Sequence, residues 1–323
     1  MRNNTSLPRW DMAVAAYLSS RHALGRIYAV EEYVLNRVRA FIANAGARDI
    51  SKALFEQWRY RSRHLSTGSR LRWERTVYKF CQYRRRTEHR CFLPDPSSFA
   101  RLRPYPIPMI IEHAQITRLL AAASALKSVM RSPIRAAVMR LAVVLLYTAG
   151  LRRGELTRLT LSDTDALAGV LRIRDSKFHK SRWVPLSRTA CAELRAYLAI
   201  RRRAGLDQSP EAPLLCTWHT RAYSGSGLHQ GLTRLCSQAG VHDSRGRPPR
   251  VQDFRHSFAV AALLRWYEAG ADVQTNLPKL ALYMGHVSII STAYYLRFMP
   301  AVVARAGERF ARSYADLIEG GAP

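Results

Sequence analysis

At 323 residues the chain is longer than one typical core supports and fits two domains. Its 51 lysines and arginines against 23 acids leave a formal charge of +28, far beyond what solubility needs. The excess points to a polyanion, with nucleic acid as the leading partner and an anionic membrane surface second. The five cysteines, Cys81, Cys91, Cys191, Cys216 and Cys236, are an odd number without a C-x-x-C spacing, which argues against a disulfide framework and a zinc knuckle.

Residues 1–92 show helical periodicity. In Val30 to Ala45 the apolar set Val30, Tyr33, Val34, Val38, Phe41 and Ile42 recurs at steps of three and four. Ser51 is placed to cap a helix through Leu54, Trp58 and Tyr60, and Ser69 to Tyr83 carries Leu71, Trp73, Val77, Tyr78 and Phe80. Arginines interleave with these aromatics at Arg59, Arg61, Arg63, Arg70, Arg72, Arg75 and Arg84 to Arg86. Singly they read as a solvated helical face; as a set, with so few acids nearby, they read as phosphate contacts. Residues 93–108 hold five prolines and no helical pattern, so 93–110 is read as a domain linker that would let two domains close around a duplex.

The helical pattern resumes at Ile111. Ser132 followed by Pro133 predicts the N-cap and first turn of a helix through Ile134, Val138, Leu141 and Leu145, ended by Gly150. The apolar run Leu141 to Leu151 inside it is about half of what a bilayer span requires, and Asp11 interrupts the short apolar segment near the N-terminus. The expectation is a soluble cytoplasmic protein, associated with the nucleoid and not with a membrane. Arg152 and Arg153 fall where one helix stops and the next starts, a favourable place for an anion because backbone N–H groups are free there. Between Gly169 and Leu186 the period changes to two, predicting strands at Val170 to Ile173 and Trp183 to Leu186, with Lys177 in the bridging turn. Helices are predicted again over Thr189 to Arg202, Gly227 to Ala239 and Gln252 to Tyr267, the last with Arg255 near its N-terminus. Ala301 to Ile318 reads as a short amphipathic helix able to pack on its own core or on a neighbour.

The chemistry-bearing residues of the C-terminal part are Arg152, Lys177, Arg255, His286 and Tyr295. No acidic cluster suits two metal ions, no glycine-rich loop suits a nucleotide, and no Ser-His-Asp ordering stands out. Several cations and a phenol fit attack on a phosphodiester without a metal or cofactor, the cations stabilising charge that builds on the non-bridging oxygens. A tyrosine hydroxyl ionises near pH 10 and needs such company.

Four segments carry a resemblance: Thr148 to Leu156, Lys177 with Arg182 to Leu186, Asp253 to Ala259, and Met284-Gly-His286 with Tyr295. In this order and spacing they resemble the tyrosine recombinase, or phage integrase, family. The resemblance implies a mainly α fold with a small β-hairpin, arranged as a two-domain DNA clamp: a helical core-binding domain over 1–92 and a mixed catalytic domain over 111–323. It implies that Arg152 and Arg255 clamp the scissile phosphate, that His286 hydrogen-bonds it, and that Lys177 protonates the departing 5′ oxygen. Tyr295 would form a 3′-phosphotyrosyl link and Glu155 would buttress Arg152. Double-stranded DNA, further copies of the chain in a tetrameric synapse, and related recombinases are the implied partners, with integration, excision or transposition of a mobile element as the outcome.

One departure concerns Gln252, where the family usually has histidine: an amide hydrogen-bonds a phosphate oxygen but takes no proton. His256, one turn on, is placed either to compensate or to pack structurally. Tyr294 competes with Tyr295, but on a helix its side chain points about 100° away. Two other readings stay open, a catalytically impaired DNA-binding or architectural protein and a nicking-relaxing enzyme like the type IB topoisomerases.

Overall fold

The computed structural model describes residues 8–101, 107–130, 132–174 and 181–299. The chain divides into two compact units, one running to Pro106 and the other beginning at Ile107.

The first unit is helical. Helices α1 (Pro8–His22), α2 (Ala29–Asn44), α3 (Lys52–Arg61) and α4 (Thr67–Arg84) enclose one core. Of the apolar set predicted in α2, Val34, Val38 and Ile42 are buried together with Leu35, while Val30 and Tyr33 are exposed; the buried face packs on Val77 and Phe80 of α4 together with Trp10 and Tyr17 of α1. Ser51 Oγ accepts the Leu54 N–H and so caps α3 as the sequence predicts. Helix α4 starts two residues before the predicted Ser69, because Ser66 caps it by accepting the Ser69 N–H. Not every arginine is an external contact. Arg84 is 1 % exposed, lies over the Trp10 and Phe80 rings, and donates to Asp49 and Glu88. Residues 93–101 pack on this unit rather than hanging free, with Phe99 buried in the core and Ala100 N–H donating to Glu74.

The second unit is built on α6 (Arg135–Thr148), whose Val138, Leu141, Ala142, Val143, Leu145 and Leu146 are all buried. A helix apolar on every side must be covered on every side. Here α5 (His113–Ser124), α8 (Arg188–Arg203), α9 (Gly225–Gln238) and α10 (Val251–Glu268) provide the cover. Ser132 is not the N-cap of α6: the helix begins at Arg135, and Ser132 Oγ instead hydrogen-bonds the Tyr223 hydroxyl at 2.8 Å. A proline one residue later marked the turn correctly and the start two residues early.

The sheet is three-stranded and antiparallel, in the order β1 (Thr164–Asp165), β2 (Val170–Ile173), β3 (Arg182–Pro185). Leu171 pairs with Val184 and both face the core, while Arg172 pairs with Trp183 and both face out. That is the period of two that identified the strands. The two-residue β1 has too few positions to alternate and left no signal. Helices α7 (Arg153–Arg158), α11 (Val273–Met284) and α12 (Ile290–Ala293) complete the unit, followed by a 3-10 turn over Tyr294–Phe298. The predicted turn Asp175 to Lys180, and with it Lys177, lies outside the described residues, as does the predicted helix Ala301 to Ile318.

Candidate active site

Glycine sets the first arginine in place. Helix α6 ends at Thr148, and Gly150 reverses the chain at φ +59°, so that Arg152 arrives at the N-cap of α7. A Cβ on Gly150 would lie 2.4 Å from Phe258 Cδ1 of α10. Left-handed backbone costs a non-glycine residue roughly 1–2 kcal/mol, and overpacking costs about 1–3 kcal/mol more. Gly150→Ala is therefore expected to destabilise the second unit by about 2–5 kcal/mol, read from urea unfolding; a loss below about 1 kcal/mol would mean that Phe258 yields easily.

Arg255 sits one turn into α10 and is 2 % exposed. Its guanidinium donates to Gly150 O and to Met284 O, both at 2.6 Å, and so ties the α6–α7 junction to the end of α11. Arg152 donates to the next carbonyl along, Gly285 O, at 2.9 Å. The two arginines thus hold consecutive carbonyls immediately before His286. Gly285 closes α11 in the left-handed conformation that glycine adopts without steric cost. A Cβ there would meet Arg182 Nη1 at 3.1 Å and Arg152 Nη1 at 3.5 Å, so glycine also leaves these guanidiniums room.

Glu155 is the counter-charge. The residue is 3 % exposed, and its carboxylate accepts from Arg152 Nη1 at 2.7 Å and from the Arg152 backbone N–H at 2.9 Å. It also accepts two bonds at 3.0 Å from Arg182, whose Nε donates to Tyr283 O at 2.7 Å. Arg182 was not singled out from sequence. It opens strand β3 and links that strand to Glu155 and to the end of α11, although nothing in a period-two pattern marks one arginine over another.

Burial pulls the Arg255 pKa down to about 10, helped by Arg152 and opposed by Glu155, which still leaves it cationic at neutral pH. His286 is drawn to about 4 by burial and then by Arg255, Arg152 and Arg182, so its imidazole is neutral. Its Nδ1 lies 2.7 Å from Thr292 Oγ1, which fixes the ring in a near-parallel arrangement with Tyr295, centroids 6.2 Å apart.

Tyr295 is 3 % exposed, at the second position of the 3-10 turn. Tyr294 is only half-buried; its ring meets Phe298 edge-on and lies under the Arg297 guanidinium. The two tyrosines diverge, though in a 3-10 turn rather than the α-helix expected. The Tyr295 hydroxyl is 3.1 Å from His256 Nδ1. Arg255 and Arg152 act to lower its pKa, but burial acts more strongly and the phenol ends above its ordinary value. The cationic surroundings expected from sequence are present, yet they do not by themselves ionise the tyrosine. Gln252 is exposed in the first turn of α10 and hydrogen-bonds none of these groups among the described residues.

The sequence profile of the phage integrase family matches residues 110–300. The chain belongs to this family, and it is an enzyme of the tyrosine site-specific recombinase class. A Sinorhizobium fredii protein named as an integrase/recombinase, y4rB, is 33 % identical over 312 residues, covering 94 % of this chain and 98 % of its own. The tyrosine recombinase XerC of Chlamydia muridarum is 31 % identical over 151 residues, covering 47 % of this chain and 44 % of its own. Among solved structures, the Tn1549 transposon integrase in complex with transposon right end DNA shares the fold at 17 % identity and a TM-score of 0.61, covering 93 % of this chain and 99 % of that one. No described helix is long and apolar enough to cross a membrane.

Proposed function

We propose that this recombinase cuts and rejoins double-stranded DNA through a transient 3′-phosphotyrosyl bond made by Tyr295. The observation that carries the reading is the convergence at His286. Arg152 and Arg255 hold the two carbonyls before it, and its ring lies beside Tyr295. A phosphodiester placed between these groups would have two guanidiniums and a neutral imidazole on its non-bridging oxygens, where charge grows in the transition state. Glu155 keeps Arg152 in place. Lys177, outside the described residues, is assigned the proton donated to the departing 5′ oxygen. Because the phosphoester energy is conserved in the tyrosyl link, the reaction needs no nucleotide, and a 5′-hydroxyl from another strand reverses the step.

The charge of +28 supports DNA as the partner, and the Tn1549 integrase, which shares this fold, was solved on DNA. Complete exchange between two duplexes breaks four strands. One nucleophile per chain then requires four copies, the basis for proposing a tetrameric synapse. Movement of a mobile element is the proposed role, and the nucleoid the proposed location.

The test is a duplex nicked beside the scissile phosphate, so that the cleaved end diffuses away and traps the intermediate. A covalent protein–DNA band whose nucleotide-bearing peptide contains Tyr295 is expected. A retarded complex without such a band would instead identify a DNA-binding protein without strand-transfer activity.

A further inference from the structure

We propose that His256 is the proton acceptor for Tyr295 during strand cleavage, filling at its Nδ1 a role that the amide of Gln252 cannot. The proposal rests on the reading of Tyr295 as nucleophile.

The attacking hydroxyl has to lose a proton, and in this site it does not lose it unaided, because burial holds the phenol above its ordinary pKa. Among the described residues, His256 is the side chain hydrogen-bonded to the Tyr295 hydroxyl, at 3.1 Å, within the reach required of a general base. The neighbours are chemically unsuited or otherwise engaged. Arg152 and Arg255 cannot accept a proton, His286 Nδ1 is taken up with Thr292, and the Asp253 carboxylate is held by Arg250 at 2.7 Å. Gln252, one turn before His256, faces solvent.

The placement is rigid for a reason visible in the fold. His256 follows Arg255 on α10, and Arg255 is pinned at Gly150 O and Met284 O. The two imidazoles therefore approach Tyr295 from different elements, His256 from α10 with ring centroids 5.5 Å apart and His286 from beyond α11.

Burial draws the His256 pKa down to about 4, with Arg250 and Arg255 adding to the effect and Asp253 opposing it. At neutral pH the ring is uncharged and has a lone pair to offer. A bound phosphate would offset the field of Arg255 and raise the proton affinity of His256, which ties basicity to occupancy of the site. The charged and titratable groups around it are Arg250, Asp253 and Arg255 on its own helix, and His286 and Tyr295 from the segment beyond α11.

The step balances. The Tyr295 O–H bond breaks and its proton moves to His256 Nδ1, the O–P bond forms, and the P–O5′ bond breaks as the 5′ oxygen takes a proton from the group assigned to Lys177. On rejoining, the incoming 5′-hydroxyl returns its proton to the group assigned to Lys177 as its oxygen bonds to phosphorus, the Tyr295 O–P bond breaks, and the imidazolium of His256 gives its proton back to the phenolate.

The experiment measures single-turnover cleavage of the nicked duplex by the wild type, His256→Asn, His256→Gln and Tyr295→Phe between pH 6 and 9. The two amides retain a polar partner for the phenol and cannot take its proton. They are expected to bind the duplex within a few-fold of wild type and to cleave it about 10²–10⁴ times more slowly at pH 7, with a deficit that shrinks about tenfold for each pH unit as solvent hydroxide takes over. Cleavage at the wild-type rate overturns the proposal, and so does a deficit constant across pH, which marks a tyrosine merely misplaced. If both amides lose DNA binding, the wild-type protein decides: ¹⁵N-histidine spectra should show an Nε2-protonated imidazole that shifts in Tyr295→Phe, and an Nδ1-protonated ring there refutes it. Adduct formation by Tyr295→Phe would sink the nucleophile reading itself, whereas its absence beside full activity of His256→Asn sinks only the role of His256.

Discussion

Tyr295→Phe is expected to form no covalent adduct with a nicked duplex while binding that duplex as tightly as wild type. The substitution removes one oxygen from a ring that is 3 % exposed, so packing against Phe258, Leu263 and Met284 in the same core is retained. The lost hydrogen bond is the one to His256. A single neutral hydrogen bond contributes only about 0.5–1.5 kcal/mol, so the melting temperature should move by a few degrees at most. Catalysis, in contrast, loses the atom that attacks. Gel shift and denaturing-gel assays on the same samples separate the two effects. A covalent band at wild-type intensity would reassign the nucleophile, with Tyr294 next in line.

Glu155→Gln should damage both stability and cleavage. The carboxylate is 1 % exposed and accepts from Arg152 at 2.7 Å and from Arg182 at 3.0 Å. The amide preserves shape, but it removes the negative charge and turns an N–H group toward guanidinium donors. Removing one partner of a buried ion pair typically costs about 3–5 kcal/mol, because the remaining charge stays desolvated. Three arginines share this neighbourhood, and Glu155 is the acid that opposes their mutual repulsion at Arg255. Urea unfolding should register the stability loss. Duplex affinity and single-turnover cleavage should fall together, since Arg152 loses its anchor. A variant with wild-type stability and cleavage would show that the backbone carbonyls alone, Gly285 O for Arg152 and Tyr283 O for Arg182, hold these side chains.

Much of the second unit could be read from local pattern. Period two marked β2 and β3, glycine marked the end of α6, and spacing marked α8, α9 and α10, because each of these is decided within a few residues by which face is buried. The two-residue β1 and the start of α6 escaped for the same reason: one is too short to show a period, and the other replaces its serine cap with a contact to Tyr223, 91 positions away. Helix α11 also went unread, since Pro278 interrupts its interior and its exposed Leu282 blurs the apolar face.

The candidate site divides along the same line. Arg152, Arg255, His286 and Tyr295 could be picked out in order along the chain, whereas Arg182 and His256 could not be assigned a role. With 51 basic residues present, one more arginine carries no information until its partner is known. The partners of Arg182 lie 27 and 101 positions away, and that of His256 lies 39.

By itself, the amino-acid order determined the helical class, the basic surface, the family and the likeness of the motifs, since all of these depend on residue type and short-range period. Tertiary structure alone decided that Glu155 also holds Arg182, which imidazole meets the phenol, and that burial outweighs the cations in setting the Tyr295 pKa. Desolvation and hydrogen bonding depend on what the folded chain places within a few ångströms, and no one-dimensional spacing encodes that distance.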